Sequence, residues 1–192
     1  MILAGPLFAA AQRPVEIEFG VRTGTTFTLP LESQLTGPAA LFSTQAFSRP
    51  SISVGPVVAV VVQDRISIQF DALYKRIRYN FSSTAGNPVI SSSTELSSWE
   101  FPLLADYIVL HRSIRPFGGG GMILAESLSG TFLSQTPAYV INGGLELRMS
   151  RVVIRPELRY THWSSVLQEV DVARRENQFE FLVGFLFRGL KR

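Results

Sequence analysis

The chain has 192 residues, 46% of them hydrophobic and 17% charged, and a formal net charge of +3. That length fits one domain, and the composition is apolar for a soluble protein, yet no uninterrupted run of about eighteen apolar residues is available to cross a bilayer as a helix. Without cysteine there is neither a disulfide framework nor a thiolate metal site, and basic residues interleaved with acids make no stripe that would track nucleic acid.

Residues 1–12 are a short apolar stretch ending on Ala9-Ala10-Ala11, the form of a signal-peptide cleavage site without its basic n-region. They are expected to be a truncated signal-peptide remnant, with residues 13–192 forming one barrel domain. Beyond them, period-2 alternation bounded by Gly, Pro, Asn, Asp and Ser predicts eight strands, at 15–29, 52–63, 65–81, 96–110, 114–126, 138–149, 152–162 and 178–190. In the first, Val15, Ile17, Phe19 and Val21 oppose Glu16, Glu18 and Arg22. The second lacks polar alternation and fits least well. In the third, Ile66, Ile68, Phe70 and Tyr74 keep one phase while Ile77, Tyr79 and Phe81 keep the other, so a bulge is expected near Lys75 and Arg76. The fourth sets Trp99, Phe101, Leu103, Tyr107 and Val109 against Glu100 and Asp106. In the sixth, Tyr139, Ile141 and Leu145 oppose Asn142, Glu146 and Arg148; in the seventh, Ile154, Leu158 and Tyr160 oppose Arg155, Glu157 and Arg159. The last sets Phe179, Phe181, Val183, Phe185 and Phe187 against Glu180, Gly184 and Arg188.

Tight turns fall around Asp64, His111 to Ser113 and Ser150, while 30–51, 82–95, 127–137 and 163–177 are long connections, so long and short alternate. All long loops then share one rim, and both termini share the other. The fold expected is all-β, an eight-stranded antiparallel up-and-down transmembrane barrel with lipid outside and a polar lumen. The lumen charge network predicted from parity comprises Glu16, Glu18, Arg22, Glu100, Asp106, Glu146, Arg148, Arg155, Glu157, Arg159, Glu180 and Arg188. Phe19, Phe101, Leu103, Tyr107, Leu145, Leu158, Phe179, Phe181, Phe185 and Phe187 are expected to face lipid. Trp99, Tyr107, Tyr139, Tyr160 and Trp163 suit the aromatic girdles at the two interfaces. Gly118 to Gly121 lacks the Gly-Lys-Ser/Thr of a phosphate cradle and reads as small residues in a strand. No cofactor or metal is expected.

The run Trp99-Glu100-Phe101-Pro102-Leu103-Leu104, with Tyr107 and Arg115-Pro116-Phe117-Gly118-Gly119-Gly120-Gly121, resembles the central hairpin of the outer-membrane β-barrel domain family that includes PorT-like and OmpA-like porin-family proteins. Arg159-Tyr160-Thr161-His162-Trp163 and Asn177-Gln178-Phe179-Glu180-Phe181-Leu182-Val183-Gly184-Phe185 are similar to its last hairpin. The resemblance implies a multi-pass protein of the bacterial outer membrane, with membrane lipid and the barrel-insertion machinery as partners. It departs from the family at the end, which runs on through Gly189-Leu190-Lys191-Arg192 rather than stopping on an aromatic residue. The role implied is envelope integrity, adhesion or surface interaction through the loops, with the surface partner unspecified; a small-solute channel and a soluble lipocalin-like carrier are the non-enzymatic alternatives.

His162, Ser164 and Glu176 resemble the His-x-Ser motif, with a Glu about a dozen residues on, of outer-membrane lipid A 3-O-deacylases. A hydroxyl, an imidazole base and an orienting carboxylate would make a nucleophilic triad. Ser165 stands where that family has Asn, and Arg174 and Arg175 offer Glu176 a simpler ion pair, so the non-enzymatic reading is preferred.

Overall fold

In the computed structural model the described residues are 15–28, 32–36, 43–48, 51–83, 90–109, 113–128, 131–132, 138–163 and 177–189. They form β1 (Val15–Thr26), β2 (Glu32–Thr36), β3 (Ser43–Ser48), β4 (Ile52–Val62), β5 (Ile66–Asp71), β6 (Leu73–Ser83), β7 (Ile90–Ile108), β8 (Ile114–Leu128), β9 (Thr131–Phe132), β10 (Ala138–Arg148), β11 (Val152–Trp163) and β12 (Asn177–Arg188). Antiparallel pairing runs β1 to β4, β4 to β5 and β6, these to β7, then through β8, β10, β11 and β12. Pairing of β12 with β1, from Glu18 opposite Arg188 to Thr26 opposite Glu180, closes the ring. With β5 and β6 counted as one stave, this is a closed barrel of eight staves with no sheet edge around its wall.

β5 and β6 are one strand interrupted only at Ala72. Val57 opposite Asp71 and Val54 opposite Tyr74 belong to one register, as do Phe70 opposite Leu103 and Leu73 opposite Glu100. The bulge expected near Lys75 and Arg76 is therefore absent. The interruption has a local cause: Ala72 N–H donates to Pro56 O at 3.0 Å, but Pro56 has no N–H to return the bond. The register shift lies instead between β7 and β8, where Glu100 faces Glu126 and Pro102 faces Ile123, leaving one extra residue on β8. Pro102 likewise cannot donate to the ladder.

The 30–51 connection, expected as a loop, contains β2 and β3. β3 pairs with the far end of β6, from Thr44 opposite Ser83 to Ser48 opposite Tyr79, and β7 begins at Ile90, ahead of the predicted 96. The barrel wall is thus extended on one side by a sheet of β2, β3, β6 and β7. At the opposite rim the turns are short. Gln63 and Asp64 both take positive φ, 56° and 55°, and Arg65 N–H donates to Val62 O at 3.1 Å, a two-residue hairpin matched to the twist of its strands. Met149 N–H donates to Val152 O at 2.9 Å across the next turn described.

Candidate functional site

Alternation places Glu16, Glu18 and Arg22 of β1 inside, with Ser67, Gln69, Asp71 and Lys75 of the β5 and β6 stave, all nearly inaccessible. Glu100 and Asp106 of β7, Arg115 of β8, Asn142 and Glu146 of β10, Arg155, Glu157 and Arg159 of β11 and Glu180 of β12 join them. Arg148 and Arg188 are half-buried at the rim of the short turns. The closed wall brings these groups together in three tiers.

At the turn end, Arg148 Nε donates to Glu146 Oε1 at 2.6 Å, and its Nη atoms reach Asp64 Oδ1 at 3.1 Å and Glu18 Oε1 at 3.2 Å. Arg188 clasps Glu16 with two bonds, 2.6 and 3.0 Å, and Arg115 donates to Glu146. In the middle tier Arg22 donates to Asp71 Oδ2 at 2.9 Å and Gln69 Oε1 at 2.8 Å and lies 3.1 Å from Glu157. Arg159 donates to the same Asp71 oxygen at 2.8 Å and to Glu157 at 3.0 Å. Arg155 pairs with Asp106, which also accepts from Asn142 Nδ2 at 2.9 Å, and the Arg155 guanidinium lies 3.8 Å from the Phe117 ring centroid. Toward the loop end Lys75 Nζ lies between Glu100 at 2.6 Å and Glu180 at 2.5 Å.

Asp71 and Arg159 stand on opposite staves, three intervening on either side, so their bond crosses the full bore. Arg155 to Asp106, Arg148 to Glu18 and Lys75 to Glu180 each cross most of it. Buried charges demand such partners, because each loses its hydration inside the wall. All twelve charged residues predicted for the lumen make ion pairs here. Asp71, Lys75 and Arg115 were missed. For Asp71 and Lys75 the shared parity with Ser67 and Gln69 was the available signal; the expected bulge obscured it for Lys75 alone. Among the described residues, no group of three or more His, Cys, Asp or Glu could hold a metal ion.

The lumen is not wholly polar. Leu104, Ile123, Ala138, Val140 and Trp163 form one buried cluster, and Val57, Ala59, Val153 and Leu186 another. The second explains why β4 lacks polar alternation: its inner face meets apolar neighbours. Trp163, expected in an aromatic girdle, is instead 2% exposed and points inward. It shares the parity of Arg155, Glu157 and Arg159.

The outer surface is apolar. Phe19, Leu103, Tyr107, Leu145, Leu158, Phe179, Phe181, Phe185 and Phe187 are exposed, Leu158 by 61%, and Phe101 is half-exposed. Tyr74, Trp99, Phe101 and Phe70 make a run of ring contacts with centroids 5.2 to 6.4 Å apart. These faces run opposite to those of a soluble lipocalin-like carrier, which needs its apolar side within.

Of the deacylase-like constellation, Ser164 and Glu176 lie outside the described residues, as does His111. His162 Nδ1 lies 3.0 Å from Asn177 Oδ1, which also accepts from Tyr160 OH at 2.6 Å. An amide oxygen only accepts, so Nδ1 carries the proton.

A closed antiparallel barrel of eight staves, apolar outside and ion-paired within, defines the class of transmembrane β-barrels, the architecture of bacterial outer-membrane proteins. Among solved structures the chain is similar to outer membrane protein OprG of Pseudomonas aeruginosa, with a TM-score of 0.61 and 10% identity over 92% of this chain and 96% of that one. It is also similar to outer membrane protein AlkL in lipid bilayers, with a TM-score of 0.57 and 15% identity over 98% and 97% of the two chains. No family model and no curated protein matches the sequence; the solved structures share the outer-membrane barrel fold, and none of these comparisons places the chain in the PorT-like and OmpA-like family.

Proposed function

We propose that the chain is an integral protein of a bacterial outer membrane whose lumen is sealed by its own side chains. Its role is then exercised at the loop rim and through its presence in the envelope: integrity, adhesion or surface interaction. Membrane lipid and the barrel-insertion machinery are its expected partners. The observation that carries this reading is the Asp71 to Arg159 bond between opposite staves, inside a wall of eight strands whose bore side chains nearly fill.

Planar-bilayer recording tests it. The purified full-length chain should give no steady conductance, whereas removing two cross-bore groups together, Asp71→Ala with Arg159→Ala, should introduce a leak. Steady wild-type conductance that is lost on altering Arg155 or Glu157 would favour a small-solute channel instead.

A further inference from the structure

Exposed charge on this barrel is sorted by end. Among the residues whose side chains are described, the exposed charged ones are Arg65, Arg76, Glu95 and Arg151. Arg76 and Glu95, toward the loop end, pair with each other. Arg65 and Arg151, on the short turns, have no ion-pair partner among the described residues. Two acids at this rim are held by other arginines: the part-exposed Asp64 by Arg148 at 3.1 Å and the buried Glu16 by Arg188 at 2.6 Å. The turn rim therefore engages these carboxylates with Arg148 and Arg188 and leaves Arg65 and Arg151 outside.

These arginines lie at the margin of the apolar band. Exposed Ile66 follows Arg65 and pairs with exposed Tyr107, and exposed Met149 shares the turn of Arg151. That margin is where the phosphates of a bilayer leaflet lie. The arc between them is continuous: Arg188 N–H donates to Arg151 O at 3.0 Å, Gly189 N–H to Ile17 O at 2.8 Å, and Val15 pairs with Val62.

We propose that this arc binds the anionic phosphate headgroups of glycerophospholipids in the leaflet at the turn end, an inference that rests on the membrane-barrel reading. Each arginine at such a surface should favour anionic over zwitterionic lipid about fivefold at low salt. The loop-end pair, neutralised within itself, should show no such preference.

Spin-labelled phosphatidylglycerol and phosphatidylcholine, added separately to the full chain in phosphatidylcholine vesicles, measure this preference as relative association at the protein surface. Phosphatidylglycerol should associate more strongly with the wild type, and the preference should collapse in Arg65→Gln with Arg151→Gln, persist in Arg76→Gln, and fall in about 1 M salt. Displacement by inorganic phosphate beyond a chloride control would mean that the arc takes free phosphate as well as the lipid headgroup; no extra displacement would restrict it to lipid. Equal association of both lipids with the wild type, or a preference unchanged in the double variant, would overturn the proposal. Absence of any motionally restricted phosphatidylcholine would overturn the membrane reading itself.

Discussion

Arg155 combines three contacts inside the lumen: an ion pair with Asp106, a hydroxyl of Ser67 at 3.4 Å and the face of Phe117. Gly184 lies beside it: a Cβ there would make ordinary contact with Arg155 Cβ and Arg22 Nε at 3.6 Å and press on Leu186 Cδ1 at 3.0 Å. Parity alone marks Gly184 as a lumen position that tolerates polar groups; the packing adds that any side chain there must displace the end of Leu186. Arg155→Met would leave the Asp106 carboxylate buried without its cation, and removing one partner of a buried pair costs about 3–5 kcal/mol. Arg76→Met breaks a pair whose side chains are 59% and 38% exposed, and should cost less than about 1 kcal/mol. Denaturant unfolding of both variants in lipid vesicles checks the contrast, and equal losses would contradict it. Trp163 shares the parity of Arg155, Glu157 and Arg159 but falls one residue past the strand expected at 152–162, where parity assigns no face. Its aromatic character was mistaken for an interfacial signal because a strand-end Trp suits either place.

At the scale of elements, the barrel strands were legible because charge and aromatic residues alternate with period two. β4 was the exception: apolar on both faces, it carries no period, and only the partners on Val153 and Leu186 explain it. The pairs that form β2 and β3 are rich in Ser, Thr and Gln and have no alternation strong enough to announce a strand; they become strands because the edge of β6 is open to them. The two ladder irregularities fall at Pro56 and Pro102, residues whose missing N–H was visible in the sequence but whose partners were not. The turn at Gln63 and Asp64 requires left-handed backbone at both positions. Gln63→Val should therefore destabilise the barrel by about 1–2 kcal/mol, since a β-branched residue resists that conformation, while Gln63→Asn should not. Equal unfolding midpoints for the two variants in the same vesicles would mean that the turn is not of this type.

For the whole molecule, the closed ladder and the three tiers of ion pairs are one device. Closure removes the sheet edges, and burial in the bore makes each internal charge depend on a partner, several of them on staves across it. Among the described residues the outer face of the wall is mainly apolar, so water is the wrong solvent for it. The candidate site was legible as a set of charged positions. Which staves face one another across the bore depends on ring closure, and no local pattern encodes that.

The central claim is that the odd positions of β12 meet lipid and the even ones do not. Because the chain has no cysteine, nitroxides placed at single cysteine substitutions report one position each. In bilayer vesicles, labels at Phe179, Phe181, Phe185 and Phe187 should be relaxed strongly by dissolved oxygen and weakly by a water-soluble nickel chelate, while labels at Leu182 and Leu186 should be shielded from both. Strong oxygen relaxation at the even positions, or nickel access along the whole odd face, would contradict the barrel as described.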